Sequence, residues 1–179
     1  MSERLWAGWR MAYIRSESGA LPPGERCLFC ALANLTPSRE NYVLERYGHT
    51  FLMLNAFPYV SGHVMVAGYA HTENLLGENE TVRAETLAAL DRARSAILEA
   101  YHPEGFNVGA NLGRIAGAGV LGHLHWHLVP RWAGDSNFMP AVAETRVLPE
   151  ALPDTYDRIL SALRSLPAHG LTVNGRGGA

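Results

Sequence analysis

The stretch Gly122-His123-Leu124-His125-Trp126-His127-Leu128-Val129-Pro130-Arg131-Trp132 constrains this chain more than any other. Histidines recur at every second position with apolar residues between them, which is the period of a β-strand. On a strand, His123, His125 and His127 share one face, while Leu124, Trp126 and Leu128 share the other and can lie on a core. Same-face neighbours are roughly 7 Å apart, so the outer two histidines stand about 13 Å from each other. One metal ion therefore cannot take all three. A single strand histidine is ordinarily a hydrogen-bonded structural residue, but three in register put three polar rings on one face with no structural gain. The residues alone leave two chemistries open: a nucleophilic imidazole, or a His-x-His metal site completed by a distant ligand.

The whole chain limits the setting. Its 179 residues suit one domain with a real core, and 47% hydrophobic with 18% charged residues is an ordinary globular composition. The net charge is -2 and all 15 basic residues are arginine, without the basic excess of a general nucleic-acid binder. No apolar run approaches transmembrane length, and the opening Met1-Ser2-Glu3-Arg4-Leu5-Trp6 mixes charge with aromatic residues where a secretory leader is apolar. A cytoplasmic protein is expected, with neither membrane nor nucleic acid as partner. Cys27 and Cys30 are too few for a disulfide framework. Their two-residue spacer lets both sulfurs turn to one ion, half of a structural zinc site; the other reading is two buried thiols acting as small apolar residues.

In chain order, residues 1–26 carry Trp6, Trp9 and Tyr13 and read as an N-terminal arm. Residues 27–167 form the domain. Tyr42–Arg46 and His49–Asn55 are β-rich runs about a Tyr47-Gly48 turn, and His63–Ala67 is a further strand. A helix is predicted at 81–101, with Leu87, Leu90, Ala93, Ile97 and Tyr101 as its apolar stripe and Arg83, Glu85, Asp91, Arg92 and Glu99 on its polar face. Phe106–Leu112 alternates as a strand, and the glycine-rich loop 113–122 then opens onto the histidine strand, where backbone N–H groups can approach an anion. A short helix capped by Asp154 carries Ile159, Leu160, Leu163 and Leu166, and residues 168–179 form a glycine-rich flexible tail. About five strands, one long helix and a short C-terminal helix, with hairpin-linked neighbours, give an α+β fold on an antiparallel sheet.

His123-Leu124-His125-Trp126-His127-Leu128-Val129 resembles the signature of the histidine-triad (HIT) superfamily of nucleotide hydrolases and transferases. Asn55 at a strand end, Ser61-Gly62-His63-Val64 and Phe106-Asn107-Val108-Gly109-Ala110-Asn111 match the same pattern, and the resemblance covers roughly residues 27–138. Arg4-Leu5-Trp6 with Trp9-Arg10-Met11, and Pro130-Arg131-Trp132 with Gly134-Asp135, are similar to bacterial diadenosine tetraphosphate phosphorylase-like members. The resemblance implies that His125 attacks the α-phosphorus of a dinucleoside polyphosphate to form a nucleotidyl-histidine, which water or inorganic phosphate then releases. It implies that His127 donates to phosphate oxygens, that His63 supports the triad from behind, that Asn111 and the loop at Gly117 and Gly119 hold phosphate, that Asn55 holds ribose, and that Met53 or Phe57 lines the base pocket. By likeness to zinc-containing relatives it implies a closed structural zinc on Cys27, Cys30, His71 and His123, with His49 as a substitute ligand, and it implies a homodimer joined through the long helix or a sheet edge. Alternatives are a nucleoside phosphoramidate or adenylylsulfate hydrolase, a nucleotide-binding protein with residual turnover, and a metalloenzyme using His123 and His125. Two departures stand out: the loop between Asn111 and His123 is one residue longer than usual, and Gly117–Gly122 offers no polar side chain to a phosphate.

Overall fold

The turn at Tyr47-Gly48 starts a meander. In a computed structural model that describes residues 27–75, 79–135, 150–168 and 170–174, the elements are α1 (Leu28–Ala33), β1 (Val43–Arg46), β2 (Thr50–Leu54), β3 (Val64–Gly68), α2 (Glu80–Tyr101), β4 (Gly105–Gly109), a 3-10 turn (Arg114–Ala116), β5 (His125–Arg131) and α3 (Leu152–Ser165). The five strands form one antiparallel sheet in the order β1-β2-β3-β5-β4. The fold class is therefore α+β, as the hairpin-linked runs imply. The N-terminal arm, with Trp6, Trp9 and Tyr13, lies outside the described residues. Among the described residues, no helix is long and apolar enough to cross a membrane.

β2 and β3 are buried on both faces, and this explains their nearly unbroken apolar runs. Leu52, Leu54, Val64 and Val66 meet α2 and α3 on one face, together with Leu128. Phe51, Met53, Met65 and Ala67 meet Cys27, Phe29 and Leu32 on the other. β5 runs between β3 and the edge strand β4, with Ala67 opposite His125 and both Met65 and Gly109 opposite His127. Directly paired residues share a face, so the histidines project on the α1 side of the sheet.

Helix α2 begins where Asn79 Oδ1 accepts from the Val82 N–H at 3.0 Å and ends at His102, in the left-handed region (φ 48°), before Pro103. Its extent agrees with the prediction, but its buried face differs. Ala89, Leu90, Ala93, Ala96 and Ile97 are buried, whereas Leu87 is 64% exposed. The alanines let the helix lie close on the sheet, and small side chains carry little weight in a hydrophobic pattern. Arg92, expected on the polar face, is buried against Glu45 of β1. Helix α3 starts one turn earlier than a cap at Asp154 implies: Ala151 occupies the cap position and a proline sits in the first turn, where its missing N–H costs nothing. Residues 170–174, placed by sequence in the tail, return to the sheet: Leu171 is buried and the Asn174 N–H donates to Arg46 O at 2.7 Å.

Candidate active site and metal centre

Two constellations adjoin on the α1 face, and His123 belongs to both. The alternation places it on the histidine strand, but it lies just before β5 begins; its ring reaches the Cys27 and Cys30 sulfurs and its carbonyl meets the His125 ring. The side chains of Cys27, Cys30, His71 and His123 bring one ligand atom each to within 4.8 Å of one another. Cys27 Sγ is 3.4 Å and Cys30 Sγ 3.5 Å from His123 Nδ1, and Cys30 Sγ is 3.4 Å from His71 Nδ1. A tetrahedron with Zn–S of about 2.3 Å and Zn–N of about 2.1 Å has an S–N edge of roughly 3.6 Å, so the spacing fits a first-row ion. The chemistry fits as well. His123 Nε2–H donates to Gly68 O at 2.9 Å, which fixes the tautomer and leaves the Nδ1 lone pair facing the sulfurs. The chain segments are held together by Leu124 N–H donating to Thr72 O at 2.6 Å. Gly122 lies under His71: a Cβ there would stand 3.1 Å from His71 Nε2, and the backbone has φ +82° at Gly62 but +75° here, both in the region that favours glycine. His49, the substitute ligand, is on the β1–β2 turn with its N–H bound to Glu85 Oε1, and is not in the cluster.

The second constellation is a row of rings. His125 Nδ1 is 2.8 Å from His123 O. A carbonyl can only accept, so Nδ1 carries the proton and Nε2 bears the lone pair. The tautomers further along follow from a backbone donor in the same way. The Tyr59 N–H donates to His63 Nδ1 at 3.1 Å. His63 Nε2–H therefore donates to His127 Nδ1 at 3.0 Å, and His127 carries its remaining proton on Nε2. That buried Nε2 has no hydrogen-bond partner among the described residues. The His125 and His127 rings meet edge-on with centroids 5.1 Å apart, so a ring with an Nε2 lone pair neighbours a ring that carries an Nε2 proton.

Burial holds these imidazoles neutral. It pushes His125 below the ordinary histidine range against the opposing bond to the His123 carbonyl. It lowers His127 to about 4, with the neighbouring His125 adding to the effect. Burial likewise lowers His123. A neutral His125 is the nucleophilic form.

The other predicted residues surround this row. Met53 lies beneath α1 on the same face of the sheet and is buried. Asn55 Oδ1 accepts from the Phe57 N–H at 2.9 Å, and its Nδ2 is 3.4 Å from the His63 ring nitrogens. Its amide therefore braces the turn around His63. Asn111 follows β4, and the glycine loop folds back on it: a Cβ on Gly117 (φ +95°) would lie 3.8 Å from Asn111 Nδ2. Gly119 faces open space. Sequence reasoning missed Phe29, Tyr59 and Gly68. Two of these act through backbone groups and have no side-chain signal, and Phe29 is hidden inside the Cys-x-x-Cys spacing.

Comparison with known proteins shows which proteins this chain is similar to. The chain is 35% identical over 159 residues to a protein of Mycobacterium tuberculosis named AP-4-A phosphorylase, covering 86% of this chain and 80% of that one. A Zn-bound histidine triad family protein from Mycobacterium smegmatis superposes with a TM-score of 0.62 at 25% identity, over 78% of this chain and 94% of that one. A hypothetical histidine triad nucleotide-binding protein from Sulfolobus tokodaii gives a TM-score of 0.59 at 28% identity, over 77% and 89% of the two chains. The family model of the HIT domain matches residues 37–134, and the chain belongs to the HIT family.

Proposed function

We propose that this protein is a nucleotide-processing enzyme that cleaves a dinucleoside polyphosphate at its α-phosphate through a covalent nucleotidyl-His125, with inorganic phosphate as the acceptor. The observation that carries this reading is the pairing of an unprotonated His125 Nε2, set by the Nδ1–H bond to His123 O, with a protonated His127 Nε2 beside it. The name of the mycobacterial relative supports the substrate and favours phosphate over water.

In the first step the His125 Nε2 lone pair forms a bond to the α-phosphorus, and the bond to the bridging oxygen breaks. The electron pair leaves with that oxygen, which becomes a terminal polyphosphate oxygen and stays anionic near neutral pH. His127 Nε2–H donates a hydrogen bond to it as its charge grows, which is where a preorganised donor lowers the barrier. The positive charge left on the His125 ring is stabilised by the Nδ1–H bond to His123 O. In the second step an oxygen of phosphate bonds to phosphorus, the P–N bond breaks, and the pair returns to Nε2. Asn111 and the N–H groups around Gly117 and Gly119 would hold phosphate oxygens, Asn55 the ribose, and Met53 or Phe57 the base. Cys27, Cys30, His71 and His123 would hold a zinc ion, which when bound supplies a structural clamp between α1 and the strand carrying the nucleophile. The assembly is a homodimer in this reading, and the unpaired side of the edge strand β4, where Val108 is 55% exposed, supports the sheet edge as its contact.

Product analysis with diadenosine tetraphosphate tests this. ADP plus ATP formed only with phosphate is expected, and none with His125→Ala. AMP plus ATP without phosphate would make water the acceptor. Cleavage of adenylylsulfate or a phosphoramidate instead would change the substrate class. A fully active His125→Ala would end the covalent mechanism.

A further inference from the structure

Building on the role of His125 proposed above, we infer that Phe29 is a positioning residue for the nucleophilic imidazole. Its ring centroid is 4.5 Å from that of His125 with the planes inclined by 31°, and 5.2 Å from that of His123 at 44°. The single hydrogen bond from Nδ1 to His123 O fixes one atom of the His125 ring but leaves the ring free to pivot about that bond. A flat wall against its face removes the pivot and fixes the direction of Nε2. Phe29 is 1% exposed, so it is a wall behind the nucleophile and not a surface offered to substrate. Leu32, Met53 and Met65 share its cluster and back the ring.

The position of Phe29 in the chain strengthens the assignment. It stands in α1 between the two cysteines whose sulfurs converge on His123 Nδ1. The same short segment therefore presents the sulfurs to one imidazole and an aromatic face to the next. Leucine or methionine can fill the slot but cannot present a flat face. Displacements of about 1 Å at a reacting group cost up to about 100-fold in rate, so the partial freedom left by an aliphatic side chain corresponds to a kcat loss of about tenfold. Substrate contacts are unchanged, so KM stays within about twofold.

The experiment uses the 179-residue chain loaded with zinc and its Phe29→Leu and Phe29→Met variants, with His125→Ala to assign signals and as the inert control. Four quantities are read: the rate of adduct formation with diadenosine tetraphosphate in a single turnover, the steady-state KM, the proton NMR shifts of the His125 ring C–H groups, and the zinc content. The expected result is slower adduct formation by about tenfold with KM little changed, and His125 signals that lose the ring-current shift of Phe29, at unchanged zinc content. Adduct formation at the wild-type rate in either variant, or His125 signals that do not move, would overturn the assignment. Loss of zinc in both variants would also overturn it, because Phe29 would then serve the metal centre. If the wild type forms no adduct while the His125 signals move as expected, the covalent reading fails and the role falls with it, although the contact itself stands.

Discussion

Arg92 offers the most demanding test of how this fold is held. Its Nε donates to Glu45 Oε2 at 2.7 Å and its Nη2 to Glu45 Oε1 at 2.9 Å, with the side chains 1% and 3% exposed. The remaining donors reach the end of α3: Nη2 bonds Leu163 O at 2.8 Å, and Nη1 bonds Pro167 O at 2.7 Å and Leu166 O at 3.4 Å. Glu45 Oε2 also accepts from the Tyr47 hydroxyl at 2.9 Å. One guanidinium thus ties β1, α2 and the C-terminus of α3 together. In Arg92→Met the carboxylate of Glu45 stays buried without its cation, and breaking a buried pair from one side costs about 3–5 kcal/mol. We predict a loss of about 4 kcal/mol, a large part of the roughly 5–15 kcal/mol that holds a domain folded. In the double variant Glu45→Leu/Arg92→Met the orphaned charge is gone. What remains is the loss of donors to the α3 carbonyls and of the Tyr47 acceptor, about 1 kcal/mol for each bond lost and partly recovered by water. The double variant should therefore be more stable than Arg92→Met alone. Urea unfolding followed by circular dichroism, at fixed pH and equal zinc loading, measures both. A loss below about 1 kcal/mol in Arg92→Met, or a double variant less stable than the single, would refute the reasoning. The pair lies on the helix side of the sheet, so the folded fraction should keep its kcat.

Three further outcomes are expected. Purified protein should hold one zinc per chain, Cys30→Ser should lose it, and chelation should lower stability by about 4 kcal/mol relative to protein in free zinc a thousandfold above its Kd, as read by metal analysis and melting. Gly122→Ala strains a left-handed backbone and crowds His71 Nε2 at 3.1 Å, so zinc affinity should fall about tenfold in competition with a chromophoric chelator. His127 titrates at about 4 in the folded state against about 6.5 unfolded, so between those values the unfolded chain binds the extra proton. Stability should thus be intact above pH 6.5 and fall on acidification towards 4, and His127→Gln should flatten that slope in urea titrations.

Wherever the signal was local, the sequence was informative. The alternation in 123–129 identified a strand with a chemical face, although the strand begins at His125 and leaves His123 just before it, and the apolar runs of β2 and β3 identified strands. What stayed hidden depends on partners far along the chain. Arg92 reads as a solvent-facing charge until Glu45, 47 residues away, is placed against it. Leu87 fits the helical stripe by spacing, but the alanine face wins because it allows the closer approach to the sheet. In the site, the spacing of Cys27 and Cys30 marked half of a candidate metal centre, but His71 and His123 could be joined to it only through family resemblance, since residues 27–30, 71 and 123 converge through the sheet topology. The backbone groups that set the tautomers, Tyr59 N–H, Gly68 O and His123 O, leave no trace in the side-chain alphabet.

The orienting acceptor for His125 is a main-chain oxygen, and this bears on how such a chain can change over generations. No substitution at position 123 deletes a carbonyl. Replacing His123 by another residue would remove one of the four groups that could hold an ion, yet leave the acceptor for His125 in the chain, altered only in how firmly it is held. A lineage could therefore give up the four-residue cluster and still orient the His125 ring, provided packing or a new hydrogen bond pinned that peptide unit in its place.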